Sequence, residues 1–366
     1  MRLFSAGSRP PTIQFKEGKT FMSEKTIRLG FVGAGNNTRV RHIPGFQSVP
    51  GVEFVSVANR SRQSSEKVAA EFGIARVYDR WEDLVRADDI DAVCIGTWPY
   101  MHCPITLAAL EAGKHVLCEA RMAMNAAEAK TMLAASRKHP ELITQIVPGP
   151  PTLEVDSTIQ TLLADGYLGK LLALELNVLQ GFIDKDAPLH WRQDKTLSGF
   201  NILSMGIWCE CIQRWLGQPA RVMATGLTSV AERRNAEGKM QPVTVPDHVD
   251  ILATYTNGAI GHLRFSAVTG IALPIELWLY GSEGTLKFDH ATRKLYGGQR
   301  GAKALTEIVI PKEKRIGWRV EQEFVSAIRG HEKITRTSFE QGVLYMEFTE
   351  AVSLSIAAGT AVSLPL

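Results

Sequence analysis

Residues 33–38 read Gly33-Ala34-Gly35-Asn36-Asn37-Thr38. They follow a short apolar run, Ile27 to Val32, and precede a segment of helical character. A strand that ends in Gly-x-Gly and turns into a helix can lay backbone N–H groups against linked phosphates. Gly33 allows the tight turn and Gly35 lets the backbone approach a pyrophosphate. Thr38 replaces the third glycine of that fingerprint, which is expected to set the helix slightly farther from the strand. Asn36, Asn37 and Thr38 join the expected phosphate site. The second β-rich run, Val52 to Ala58, ends in Asn59-Arg60-Ser61-Arg62. An acid at that point would bind the ribose hydroxyls of NAD. No carboxylate stands there to repel a 2′-phosphate, and Arg60 can pair with one. Glu53 lies near the start of the run, at the far end of the sheet. The expected cofactor is therefore NADP(H) in preference to NAD(H), with NAD(H) still compatible.

The elements that must position these residues follow a regular order. Apolar runs at Asp91–Gly96, His115–Cys118 and Leu142–Val147 alternate with helical stretches at Ser65–Phe72, Pro104–Ala112 and Ala126–Lys138. Strands apolar on both faces and separated by helices predict a parallel sheet covered on both sides. The fold class is α/β, with a doubly wound dinucleotide-binding domain over 25–148. After Pro148-Gly149-Pro150-Pro151 long β-rich runs dominate, interrupted by helices at Leu153–Leu163, Phe200–Trp215 and Ser338–Ala358. Asn257-Gly258 predicts a tight hairpin, and Gly281-Ser282-Glu283-Gly284 a second. Residues 149–366 are expected to form an α/β domain on an open, mainly antiparallel sheet. Residues 1–24 read as a flexible tail without chemistry.

Composition removes several function classes. The chain has 366 residues, enough for two cores, and a net charge of +3 spread without a basic arm or helix, so no nucleic-acid partner is expected. No apolar run is long enough for a membrane span. The five cysteines are odd in number and sit in apolar segments, as buried thiols of a cytoplasmic protein do. Cys209 and Cys211 lack a second pair of ligands, so no metal site is expected.

Several further stretches carry a resemblance. Thr97-Trp98-Pro99-Tyr100-Met101-His102 follows the fourth strand. Ala109-Leu110-Glu111-Ala112-Gly113-Lys114-His115-Val116 spans a helix and strand. Gly166-Tyr167-Leu168-Gly169, Trp191-Arg192 and Tyr280-Gly281-Ser282-Glu283-Gly284-Thr285 lie beyond. With Gly33-Ala34-Gly35, the chain resembles the Gfo/Idh/MocA oxidoreductases over nearly everything after residue 25. The resemblance implies a Rossmann domain followed by an open antiparallel sheet. It implies a homodimer or homotetramer formed through that sheet, and hydride transfer to or from sugars, polyols or related small molecules. It places Thr97 and His102 beside the cofactor and Glu119 near the nicotinamide ribose.

The chain departs from the family pattern where acid–base chemistry is done. The family's Glu-Lys-Pro is Glu119-Ala120-Arg121 here, so the lysine is absent. The stretch matching the family's Asp-x-Gly-x-His-x-x-Asp is Ser204-Met205-Gly206-Ile207-Trp208-Cys209-Glu210-Cys211, and Trp208 replaces the histidine. Neither Ala120 nor Trp208 can take a proton from an alcohol, and losing a positioned base costs on the order of 100- to 10,000-fold in rate. The candidate substitutes are His190, tunable near neutral pH, and Glu210. Arg121 can anchor a cofactor phosphate or a substrate carboxylate. Trp191, Arg192 and Trp208 are the candidate substrate contacts, although Trp208 reads equally well as core. Two other readings stand beside a dehydrogenase. One is a non-catalytic dinucleotide sensor. The other is a lyase, epimerase or glycosidase that recycles tightly held NAD(H).

Overall fold

The computed structural model describes residues 25–366; the expected tail over 1–24 lies outside the described residues. The first sheet contains β1 (Ile27–Val32), β2 (Val52–Ala58), β3 (Arg76–Val77), β4 (Ala92–Ile95), β5 (His115–Cys118) and β6 (Thr144–Ile146). Every pairing is parallel and the strand order is 3-2-1-4-5-6. All four side chains of β4 are buried, because helices cover both faces. These helices are α1 (Ile43–Gln47), α2 (Arg62–Phe72), α3 (Trp81–Val85), α4 (His102–Glu111) and α5 (Ala126–Lys138). The order reverses between β1 and β4, and the carboxyl ends of these strands open a crevice there.

Capping side chains fix where the helices begin. Ser61 accepts from Ser64 N at the start of α2, and Asn125 accepts from Glu128 N at the start of α5, each satisfying a donor that the helix cannot. The helix expected after the glycine turn is split. Thr38–His42 winds as a π-helical turn before α1 begins with Pro44 in its first turn.

The second sheet is built from β7 (Leu171–Leu179), β8 (Arg221–Leu227), β11 (His248–Thr254), β12 (Ile260–Ser266), β13 (Glu276–Gly281), β14 (Gly284–Asp289), β15 (Lys294–Gln299), β16 (Thr306–Ile308) and β17 (Val362–Ser363). A separate hairpin pairs β9 (Glu232–Arg234) with β10 (Met240–Pro242). The large sheet runs 16-15-14-13-7-12-11-8-17 and is antiparallel except for β7 beside β12. Both expected hairpins are present, β11 with β12 and β13 with β14. One face packs under α6 (Asp156–Ala164) and α8 (Met205–Leu216), with Leu174, Leu176, Ile251, Leu263 and Phe288 in the core. The short α7 (Lys195–Ser198) lies in the loop before α8. The other face leaves Met223, Leu227, Leu252 and Ile260 more than half exposed.

Two late helices do not stay with this sheet. In α9 (Val320–Ile328), Phe324 and Val325 join Phe31 and Phe46 in a core of the first domain. In α10 (Phe339–Ala358), Phe339, Tyr345 and Met346 pack with Ile105, Met132 and Ile146. The later residues Phe348, Ala351 and Val352 belong to the core of the second sheet. The strands divide near residue 148, whereas the packing returns to the first domain after residue 318.

Candidate active site

The glycine turn is a consequence of crowding on one side and openness on the other. Gly33 has φ +81°, and a Cβ there would lie 2.6 Å from Thr97 Cγ2 and 2.7 Å from Thr97 N. Glycine is therefore required by the fold. A Cβ on Gly35 would meet no atom nearer than 3.9 Å. Packing does not demand glycine at 35, and the space beside it is open to the cavity. Thr38 is buried, and its hydroxyl points to Gly33 O at 3.4 Å. Its room comes from the neighbouring strand end, since a Cβ on Gly96 would lie 2.1 Å from Thr38 Oγ1. The glycine missing from the fingerprint is thus supplied across the turn. Asn59 ties the same turn to the end of β2: Ala34 N donates to Asn59 Oδ1 at 2.7 Å, and Asn59 Nδ2 donates to Ser64 Oγ at 3.0 Å.

These residues border a cavity of about 610 Å³ lined by Gly33, Gly35, Arg60, Ser61, Thr97 and Trp98 among others. That volume is ample for one half of a dinucleotide. Asp79 also borders it, with its charge engaged by Arg62 at 3.0 Å. The Arg60 guanidinium lies 5.6 Å from the Trp98 ring centroid. Trp98 stacks on Trp191 of the second domain at 5.6 Å and 14°, and the Arg192 guanidinium lies over the Trp191 ring, 4.2 Å from its centroid. Two stacked indoles, each with a cation beside it, therefore join the edge of the cavity to the second domain.

At the end of β5, Glu119 is held by an unusual partner. His42, fully buried, bonds Glu119 Oε1 through Nε2 at 3.0 Å and Glu321 Oε1 through Nδ1 at 2.6 Å. Burial acts against the imidazolium, but the two carboxylates outweigh it and raise the His42 pKa to about 9. Glu119 resists burial in turn through His42, and its pKa is lowered. Asn37 Nδ2 donates to the same carboxylate, which joins the glycine turn to the fifth strand.

His102 is a brace between two loops. Its Nδ1 lies 2.9 Å from Arg121 O and its Nε2 lies 3.0 Å from Thr97 O. Burial lowers its pKa, so the neutral ring donates to one carbonyl at a time. Arg121 carries its side chain into the space beside Gly206, where a Cβ would lie 2.7 Å from Arg121 Cδ. Burial, reinforced by Arg192, brings the Arg121 pKa down to about 10.

The remaining sequence candidates separate. His190, Trp191 and Arg192 form one turn, in which Arg192 N donates to His190 Nδ1 at 3.2 Å. That bond leaves the ring proton on Nε2, so His190 presents a donor outward. Its pKa is lowered by partial burial and then by Arg192. Glu210 is not brought to the cleft. It is buried, ion-paired with Arg214 at 2.6 Å, and accepts from Gly149 N at 2.8 Å and Thr337 Oγ1 at 2.6 Å. With its oxygens so engaged it has no route to a substrate proton. Trp208 is core: 3% exposed and edge-on to His290 at 5.2 Å. Asn36 is exposed beside the turn.

Sequence reasoning missed His42, Trp98 and Ser61. Only the four-residue spacing of Thr38 and His42, which puts both on the inner side of one helical segment, could have drawn attention to the histidine.

Comparisons with known proteins agree with this architecture. Residues 27–145 match the family model of the Gfo/Idh/MocA oxidoreductases with an NAD-binding Rossmann fold, and residues 157–287 match the model of their C-terminal domain. The chain belongs to the Gfo/Idh/MocA oxidoreductase family. It is 26% identical over 285 residues to a levoglucosan dehydrogenase of Pseudarthrobacter phenanthrenivorans, covering 72% of each chain. It is 27% identical over 300 residues to the mouse trans-1,2-dihydrobenzene-1,2-diol dehydrogenase, covering 79% of each. Among solved structures, an oxidoreductase domain protein from Kribbella flavida superposes with a TM-score of 0.82 at 25% identity, covering 93% of this chain and all of that one. A levoglucosan dehydrogenase in complex with NADH and L-sorbose shares the fold, with a TM-score of 0.83 at 22% identity over 93% of this chain and 99% of that one.

Proposed function

We propose that this protein is an NADP-preferring dehydrogenase or reductase of a sugar, polyol or related small hydroxy or carbonyl compound. The observation that carries the reading is Gly35, a glycine that no packing contact requires, bordering a cavity with room for one half of a dinucleotide. Gly33, Gly35, Asn36, Asn37 and Thr38 would hold the pyrophosphate. Arg60, with Ser61 at the start of α2, would take the 2′-phosphate. Glu119, Thr97 and His102 would border the nicotinamide half. Bound NADP(H) supplies the hydride acceptor or donor. The names of the similar dehydrogenases support an alcohol or carbonyl as the other partner.

The chain's own acid–base set is sparse. His190 presents Nε2–H, which suits hydrogen bonding to a carbonyl or hydroxyl oxygen. To accept a proton from an alcohol it must do so at Nδ1 and release Arg192 N–H. The same holds for carbonyl reduction, because a ring that gave up Nε2–H without taking a proton at Nδ1 would be left as an imidazolate; in either direction the oxygen's proton is exchanged with solvent while His190 Nε2–H hydrogen-bonds that oxygen. The sealed Glu210 and the capped His190 also support a second reading, a dinucleotide-binding sensor without turnover. Titration with NADPH, followed by a sugar and ketone panel monitored for NADPH consumption, separates them. Turnover supports the reductase. Tight binding without turnover supports the sensor. No binding of either nicotinamide dinucleotide overturns both.

The proposal extends to assembly and place. The exposed Met223, Leu227, Leu252 and Ile260 form an apolar stripe on the free face of the second sheet, which suits a homodimer or homotetramer. Five free, buried thiols suit the cytoplasm.

A further inference from the structure

We propose that Arg121 is the anchor for a carboxylate of the substrate, so that the protein acts on acidic sugars or hydroxy acids rather than on neutral polyols. The inference rests on the dehydrogenase reading and narrows its substrate.

Arg121 is 3% exposed. Its Nε is sealed from solvent without a hydrogen-bond partner, and its guanidinium forms no ion pair among the described residues. An arginine in such surroundings normally sits between carboxylates, because a buried charge without a partner is strongly unfavourable. Arg214 shows the contrast within the same molecule: equally buried, it pairs with both Glu210 and Asp156. The charged groups around Arg121 do not compensate it. Arg192 repels it. Glu119 attracts it, but that carboxylate is engaged by His42 and Asn37. The fold nevertheless builds a place for the side chain. Gly206 clears room for its stem, and His102 bonds its backbone carbonyl.

The position decides which anion is missing. The phosphates of a dinucleotide belong at the turn after β1 and beside Arg60 after β2. Arg121 follows β5, on the other side of the switch point, facing α8 and the loop that carries Arg192. A group bound there is not a cofactor phosphate. Its chemistry is that of a planar anion matched to a guanidinium fork, with Arg192 as a second cation nearby.

The test uses the full-length protein, with and without saturating NADPH. Calorimetry compares matched probes: D-gluconate and D-glucuronate with D-glucitol and D-glucose, and lactate and malate with glycerol. The acids are expected to bind and the neutral partners to bind at least tenfold more weakly. Arg121→Gln is expected to weaken acid binding by about 10- to 100-fold, with Arg121→Lys recovering part of it and NADPH affinity unchanged in both. Arg121→Met adds a readout that a structural arginine would not give. Removing an unpaired buried cation should raise the Tm by about 2 °C or more while abolishing acid binding. A fall in Tm in Arg121→Met, or equal binding of acids and neutral compounds, overturns the proposal. So does a loss of NADPH affinity in Arg121→Gln with acid binding intact, which would assign the anion to the cofactor. Arg121-dependent acid binding in a protein that binds no dinucleotide would leave the anchor standing and remove the dehydrogenase reading instead.

Discussion

Trp98 and Trp191 stack face to face at 5.6 Å across the boundary between the two domains. One follows β4 of the Rossmann sheet, and the other sits in the loop that carries His190 and Arg192. Such pairs contribute about 0.5–1.5 kcal/mol beyond their buried area. Trp98→Ala and Trp191→Ala should each weaken NADPH binding severalfold, and the double variant should be less than additive by about that coupling energy. Additive losses would show that the two rings do not act as a unit.

The two turn glycines should fail in different ways. Gly33→Ala forces a Cβ into Thr97 at a positive φ, a strain of about 1–3 kcal/mol, and should lower the Tm. Gly35→Ala meets no protein atom at close range, so its Tm should stay near that of the parent. Its dinucleotide affinity should fall by tenfold or more. Thermal melts beside NADPH titrations separate the two effects.

Arg60 tests cofactor choice. A charge-assisted hydrogen bond is worth about 1.5–3 kcal/mol, so Arg60→Ala should raise the Kd for NADPH by about tenfold or more and leave that for NADH nearly unchanged. Equal effects on both would remove the 2′-phosphate from this side chain.

His42 predicts a pH dependence. Its folded pKa, about 9, stands above the ordinary value of 6.5. The stability it contributes is fully present below about pH 6.5 and is lost as pH rises through 9. Glu119 has a lowered pKa and acts in the opposite sense, its contribution disappearing as pH falls through the folded value. The Tm should therefore decline between pH 6.5 and 9.5. In His42→Gln this alkaline decline should flatten while the overall Tm drops. An unchanged alkaline limb would show that the imidazole is neutral in the fold.

The parallel sheet and its glycine turn were legible because both are local: apolar strands, helix stops and a Gly-x-Gly in sequence order. Both hairpins were legible for the same reason. The strands β15 and β16 were not, since Gly297-Gly298 and a three-residue edge strand carry little β signal. At the site, Arg60 could be singled out from the end of β2, whereas Glu119 and His102 were marked by the family resemblance. The fate of Glu210 could not, because its partners Gly149 and Thr337 are 61 and 127 residues away. Trp208 read equally as ligand platform or core until the packing of α8 resolved it. The stacking of Trp98 on Trp191 depends on how two separately legible domains meet, and no spacing encodes that.

The long terminal helix α10 is common property of both cores. Cutting the chain after its last Rossmann strand would strip Phe324, Phe339 and Tyr345 from the half that remains, so the nucleotide-binding portion should not survive as an isolated fragment. The same shared spine restricts how the cleft can breathe. Separating the halves would have to pull Phe339, Tyr345 and Met346 from one core or Phe348, Ala351 and Val352 from the other.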